Sequence, residues 1–108
     1  MSGRSTSELL GLIGETAFIQ LVEAFGGCRL FVPAKLDEDH EIVRAVGMAA
    51  AKLLSSRYSP DVIRVPLGRD ERARRYRAQG WPISQIARAL GMTETGVHKL
   101  LARLNGGA

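Results

Sequence analysis

The chain has 108 residues, of which 45% are hydrophobic and 24% are charged, enough for one modest domain or two very small ones. Its single cysteine, Cys28, excludes an intramolecular disulfide framework and a cysteine-based zinc site, and it favours a reducing, cytosolic setting. The sequence has no apolar run of the roughly 20 residues that cross a membrane, and residues 1–10 lack the apolar block of a signal peptide, so we expect a soluble protein.

The first helix is predicted from about Ser7 to Ala24, after a polar segment, residues 1–6, that we expect to be frayed. Ser7 is the candidate N-cap, and apolar residues recur at intervals of three and four, at Leu9, Leu10, Ile13, Ala17, Leu21 and Ala24. Gly26-Gly27 ends this helix. The β-prone residues 28–33 then predict a short edge strand that ends in a proline.

A second helix is predicted from residue 39 or 40 to Arg57, and residues 61–66 predict a second short strand. Acidic side chains surround His40 where this helix begins, at Asp37, Glu38, Asp39 and Glu41. They are explained by the helix dipole, and no nucleophile motif, phosphate loop or metal-ligand spacing accompanies them. The sequence therefore predicts no catalytic residue, no metal site and no cofactor.

The two helix–strand segments align without a gap at a spacing of 33 residues. Between residues 14 and 33 five pairs are identical: Gly14 and Gly47, Ala17 and Ala50, Leu21 and Leu54, Val32 and Val65, and Pro33 and Pro66. Identical residues at equal spacing predict equivalent geometry, although helix–strand patterns can also match at this level by chance.

Two strands this short are only marginally stable in water as an isolated pair. Pairing across a two-fold axis between two copies would extend the sheet, and pairing within one chain is the alternative. If the strands pair between two copies, residues 1–66 form a dimerisation region. We then expect dimer contacts at Leu21, Phe25, Leu30, Phe31, Val32, Ile63 and Val65.

The composition changes at Leu67, and we expect residues 67–108 to form a separate DNA-binding domain. Residues 1–68 carry 7 basic and 8 acidic side chains, a net charge of −1, whereas residues 69–108 carry 8 and 3, a net charge of +5. A helix is predicted over residues 69–79, ended by Gly80, and Trp81 is predicted to fill the core. The candidates for contact with DNA phosphates are Arg72, Arg74, Arg75, Arg77, Arg88 and Arg103.

Residues 83–104 have the size pattern of a helix-turn-helix. Ala87 is small where two helices must approach, Gly91 suits the turn, and Val97 and Leu100 share one face of the following helix. Thr93 is the candidate cap of that helix. The small shared core is completed by Ile86, Leu90 and Met92.

The second of these helices would enter the major groove, with its N-terminal residues nearest the bases. We expect Thr95, His98 and Lys99 to read base edges, with Thr93 and Glu94 as further candidates. Glu94 would accept a hydrogen bond from cytosine, or would only stabilise the helix start. Gly96 either lets the backbone approach DNA or is tolerated without a role.

The sequence resembles the Mor/C transcription activators of Mu-like phages and prophages. The resemblance covers residues 8–104 and rests on FGGCRLFVP at residues 25–33, DEDHEIVRAVGMAAAKLL at residues 37–54, Val65-Pro66 and the segment from Ile83. It implies a homodimer with a helical dimerisation region, a strand that leads to the helix-turn-helix, and a promoter element with imperfect dyad symmetry. It also implies contact with RNA polymerase and a location in the bacterial cytoplasm, on the nucleoid when DNA is bound.

We therefore expect a mainly α fold with two short β-strands, in which a helical dimerisation region precedes a C-terminal helix-turn-helix. The expected function is sequence-specific transcription regulation, most simply activation, by a homodimer on promoter DNA. One alternative is a repressor or a recombination-targeting protein that binds DNA without activating transcription. Another is an adaptor whose helix-turn-helix binds a protein partner.

Overall fold

The computed structural model of the protein describes residues 5–106. The chain divides into two compact units between Leu67 and Gly68. The first unit contains α1 (Thr6–Phe25), β1 (Arg29–Val32), α2 (Glu41–Tyr58) and β2 (Asp61–Arg64), and the second contains α3 (Arg69–Ala78), α4 (Ile83–Leu90) and α5 (Glu94–Gly106). The predicted fold class, mainly helical with two short strands, is confirmed.

The helix starts in the first unit depend on side chains that accept backbone hydrogen bonds. The hydroxyl of Ser5 accepts from the Glu8 amide at 3.0 Å, so the N-cap of α1 is Ser5, two residues before the predicted cap, Ser7. Residues 1–4 of the segment predicted to be frayed lie outside the described residues. The His40 ring accepts from the Ile42 amide at 3.1 Å through Nδ1, which caps α2. His40 and its acidic neighbours thus have a structural explanation in the start of α2.

Both long helices are interrupted at equivalent glycines. Gly14 in α1 has φ 84° and ψ 168°, and Gly47 in α2 has φ 85° and ψ 161°. Side chains with a Cβ rarely adopt this conformation, so glycine is required for the kink. The apolar periodicity predicts two continuous helices, and that prediction is wrong at Gly14 and Gly47. The equivalent geometry expected from the 33-residue spacing is confirmed at this pair.

The two strands pair with each other inside one chain. They are antiparallel, with Leu30 opposite Ile63 and Phe31 opposite Val62. The ladder continues past the strand ends, because the Val65 amide donates to the Cys28 carbonyl at 2.9 Å. Among the residues described, the sheet consists of these two strands, paired within one chain.

The core of the first unit lies between the kinked helices and one face of the sheet. Its largest fully buried side chains include Phe18, Leu21, Leu54 and Ile63. The Tyr58 hydroxyl donates to Glu8 at 2.6 Å, which ties the end of α2 to the start of α1. Further members of this core are Leu9, Ile19, Val22, Leu30, Val32, Ile42, Val46, Ala50, Ala51 and Val65.

The three helices of the second unit surround a separate core. Its buried members are Ala73 and Tyr76 from α3, Ile86, Ala87 and Leu90 from α4, and Val97, Leu100 and Leu101 from α5. Trp81 is half-buried and packs against this core, with its ring stacked on Tyr76 at a centroid distance of 4.0 Å. Trp81 thus closes one edge of the core.

Candidate nucleic-acid interface

The turn between α4 and α5 is fixed by Gly91. This glycine has φ 67° and ψ 38°, the left-handed conformation predicted for the turn residue. The Met92 amide donates to the Ala87 carbonyl at 2.9 Å, and the Gly91 amide donates to the Arg88 carbonyl at 3.4 Å. These two bonds form a Schellman motif, which satisfies the last carbonyls of α4 and sets the direction in which the chain leaves it.

The start of α5 is capped as predicted. The Thr93 hydroxyl accepts from the Gly96 amide at 3.0 Å, so its acceptor side is occupied by the helix itself. Gly96 also has a packing reason to be glycine, because a Cβ there would lie 3.1 Å from the Thr93 hydroxyl and 3.3 Å from the end of the Met92 side chain. The cap and the glycine together hold the first turn of α5 close to the turn segment.

The buried face of α5 leaves its opposite face open. Val97 and Leu100 are buried against the helices of the same unit, whereas Thr95, His98, Lys99 and Ala102 are exposed. At 100° per residue these four exposed positions lie on the side of α5 away from the core. The side chains of Thr95, His98 and Lys99 make no hydrogen bond or ion pair with any residue between 5 and 106. The structure thus leaves three of the predicted base-reading residues available to a ligand.

A cleft of about 370 Å³ lies between α4 and the start of α5. Its lining includes Ser84 and Arg88 from α4 and Glu94 from the first turn of α5. Ser84 and Arg88 are four residues apart, so they share one face of α4. Ser84 is not among the residues predicted from the sequence, although its spacing of four residues from Arg88, a predicted phosphate contact, places it on the same helix face.

At least three of the six predicted phosphate contacts have partners inside the second unit. Arg72 donates to the Tyr76 hydroxyl and to the Ala89 carbonyl, each at 3.1 Å, which links α3 to the end of α4. Arg77 donates to the Trp81 carbonyl at 3.1 Å. Arg103 makes two bonds to Asp70, at 3.0 and 3.3 Å. Arg72 and Arg103 therefore join α3 to α4 and α5, and Arg77 binds the segment that follows α3.

The other three predicted phosphate contacts differ in their surroundings. Arg88 is exposed and borders the cleft next to α5. Arg74 is also exposed but lines a different cleft, between α3 and the end of α5. Arg75 is half-buried on α3. The structure thus brings only Arg88 to the start of the predicted recognition helix.

The residues predicted for dimer contacts lie mostly in the core of their own chain. Leu21, Leu30, Val32, Ile63 and Val65 are each no more than 4% exposed. They contact the other apolar residues of the first unit, so they present no surface to a second copy. Of the predicted set, Phe25 is half-buried and Phe31 is 54% exposed. These five positions therefore belong to the core of their own unit.

No family model, no curated protein and no solved structure matches this chain. None of the described helices is long and apolar enough to cross a membrane. Between residues 5 and 106 there is also no group of three or more His, Cys, Asp or Glu side chains placed to hold a metal ion.

Proposed function

We propose that residues 68–106 form a helix-turn-helix domain that reads a DNA sequence with α5. The observation that carries this proposal is the exposed row of Thr95, His98 and Lys99, whose side chains have no partner among the described residues. Exposed polar side chains on a helix with a packed opposite face suit insertion into the major groove, where base edges offer donors and acceptors. The net charge of +5 over residues 69–108 would add attraction to phosphates.

Within this proposal each side chain has a separate task. Thr95 and His98 contact base edges near the start of α5, and Lys99 donates to a guanine or to a phosphate. Ala102, exposed on the same face, is suited to contact a thymine methyl group. Glu94, which lines the cleft at the start of α5, accepts from a cytosine amino group. Arg88 itself is the best placed of the predicted phosphate contacts.

We further propose that the protein is a transcription regulator of the Mor/C type, acting as a homodimer on an imperfect dyad and contacting RNA polymerase. This part is supported by the resemblance in residues 25–33, residues 37–54 and the segment from Ile83. The dimer contact would use exposed positions such as Phe31, because the apolar strand residues Leu30, Val32 and Ile63 are buried inside their own unit. A repressor or a recombination-targeting protein would bind DNA through the same surface. A reporter gene driven by the selected site separates an activator from these two alternatives by the sign of the change in its expression.

The test is selection of bound sequences from random duplex DNA with the full chain, followed by light scattering on the complex. We expect one enriched motif, bound with a steep salt dependence. The double variant Thr95→Ala with His98→Ala should lose the preference for that motif. Gln20→Ala, which truncates an exposed polar side chain of α1, is the matched control and should keep it.

The mass of the complex tests the dimer separately from DNA binding. Two chains on an inverted repeat would support the homodimer, whereas one chain on a single site would retain the DNA-reading proposal and remove the dimer. Failure to enrich any motif, together with salt-insensitive or absent binding, would contradict the proposal and favour the protein-interaction adaptor.

A further inference from the structure

A second cleft, of about 230 Å³, lies between α3 and the C-terminal end of α5. Arg74, Arg77 and Ala78 line it from α3, and Leu101, Leu104 and Asn105 line it from α5. Two of its α5 residues are apolar and both charged residues are arginines. The cleft therefore combines an apolar floor with a cationic wall, and no acidic residue is among the residues that line it.

The cleft is on the far side of α5 from the residues proposed to read DNA. Leu104 follows Thr95 by nine residues, which is half a turn around the helix at 100° per residue. Leu101, which is buried at the core edge, is on the same side as Leu104. A ligand in this cleft would consequently leave the face of Thr95 and Lys99 free.

The arginines of the cleft retain capacity to bind anions. Arg74 is exposed and makes no hydrogen bond or ion pair with any residue between 5 and 106. Arg77 donates from Nη1 to the Trp81 carbonyl, which leaves the other donors of its guanidinium available. Two guanidinium groups on one wall match carboxylates, and the leucines match an aliphatic side chain.

We propose that this cleft binds an acidic amphipathic helix of a partner protein. One aliphatic side chain of that helix enters the space above Leu101 and Leu104, and carboxylates three or four residues away pair with Arg74 and Arg77. Charge complementarity argues for this occupant, because the unit carries a net charge of +5 over residues 69–108. The inference concerns a surface separate from the DNA-reading face and does not depend on it.

The test uses the full chain and a fluorescein-labelled synthetic helix with leucines along one stripe and glutamates flanking it. We expect saturable binding in fluorescence anisotropy, and amide shift changes centred on Leu101, Leu104 and Asn105 in heteronuclear NMR spectra. A peptide with glutamine at every glutamate position should bind at least about tenfold more weakly. Equal binding of the two peptides would overturn the proposal.

The variant Arg74→Glu should weaken binding of the acidic peptide by about tenfold or more. Arg69→Glu is the matched control, since it makes the same charge change at an exposed position of α3 outside the cleft, and it should bind the peptide nearly as well as the wild type. If both variants lost the same affinity for the acidic peptide, the attraction would depend on net charge alone, and the proposal of a specific site in this cleft would be rejected. Shift changes on α5 at Thr95 to Lys99 instead would also reject it.

The same two variants separate this proposal from the competing occupants. Loss of duplex DNA binding in Arg74→Glu but not in Arg69→Glu would assign the cleft to phosphates and contradict a protein partner. Self-association of the wild type that Arg74→Glu abolishes, without binding of the acidic peptide, would assign it to a second copy and contradict the proposal in the same way.

Discussion

Leu30 and Ile63 are equivalent residues of two 33-residue repeats, and they also stand opposite each other in the sheet. A pair of this kind marks a local two-fold axis inside the chain. The neighbouring pairs obey the same axis, since Arg29 pairs with Arg64 and Phe31 with Val62. The first unit is thus a pseudo-symmetric assembly of two helix–strand repeats.

We predict that Gly47→Ala lowers the free energy of unfolding by about 1–3 kcal/mol, measured by chemical denaturation. Nothing lies within 4 Å of a Cβ built at this glycine, so the cost arises from the backbone conformation and not from a steric clash. Gly14→Ala should have a similar effect, because the two glycines have the same φ and ψ within a few degrees.

Gly11→Ala is the control for the glycine variants. Gly11 also lies in α1 with open space around it, but its φ is not in the left-handed region, so alanine should be neutral or stabilise by up to about 1 kcal/mol. If Gly47→Ala were as stable as the wild type, the left-handed conformation at this position would not require glycine, and the prediction would be wrong.

We predict that Ile63→Ala destabilises the first unit by about 2–5 kcal/mol, and by the same amount at every protein concentration. Ile63 is fully buried in its own chain, whereas Phe31, at 54% exposed, should cost under about 1 kcal/mol when changed to alanine. Thermal unfolding at two concentrations, with light scattering, gives the measurement. A variant at Ile63 that kept its monomer stability but lost association would place this residue between chains instead.

A feature of this fold can be predicted from the sequence when the residues that determine it are close together along the chain. Elements defined by local signals, such as the turn at Gly91 and the cap at Thr93, were predicted correctly because backbone conformation and capping depend on a few neighbouring residues. The kink at Gly47 was missed, since a helix with an apolar stripe has the same periodicity with or without it. The pairing of β1 with β2 could not be chosen from sequence, because the same strands can pair within or between chains.

The candidate site shows the same limit. The exposed face at Thr95, His98 and Lys99 follows from helical periodicity, and the structure places all three on the surface. The partner of Arg103 is Asp70, which is 33 residues away, and one partner of Arg72 is the Ala89 carbonyl, 17 residues away. Such partners depend on how α3 packs against α4 and α5. Charge counts alone therefore do not show which arginines already have a partner inside the protein.

We predict that Thr93→Val lowers the stability of the second unit by about 1 kcal/mol, while Thr93→Ser keeps it close to that of the wild type. Valine has nearly the shape of threonine but cannot accept the hydrogen bond from the Gly96 amide. Denaturation followed by the fluorescence of Trp81 reports this unit. Equal stability of the serine and valine variants would show that the cap bond contributes nothing measurable.

We predict that the ion pair between Arg103 and Asp70 has a small structural role and does not contact DNA. Both side chains are more than a third exposed, so a double-mutant cycle with alanine at each position should give a coupling below about 1 kcal/mol. Because Arg103 is already paired, Arg103→Ala should leave the salt dependence of DNA affinity unchanged. A slope reduced by about one ion would instead identify it as a phosphate contact.

The last prediction separates base reading from phosphate contact on α5. His98→Ala should weaken binding to the selected sequence by about 1–3 kcal/mol and have little effect on random duplex DNA, because a base-edge contact exists only at the right sequence. Lys99→Ala should weaken both if its partner is a phosphate, with a salt slope lower by about 0.9, and only the selected sequence if its partner is a guanine. Affinities measured at several salt concentrations distinguish these cases. If His98→Ala lost the same affinity for the selected sequence and for random duplex DNA, His98 would not be a base-reading residue. Its side chain is exposed and has no partner among the described residues, so it would then contact only the DNA backbone.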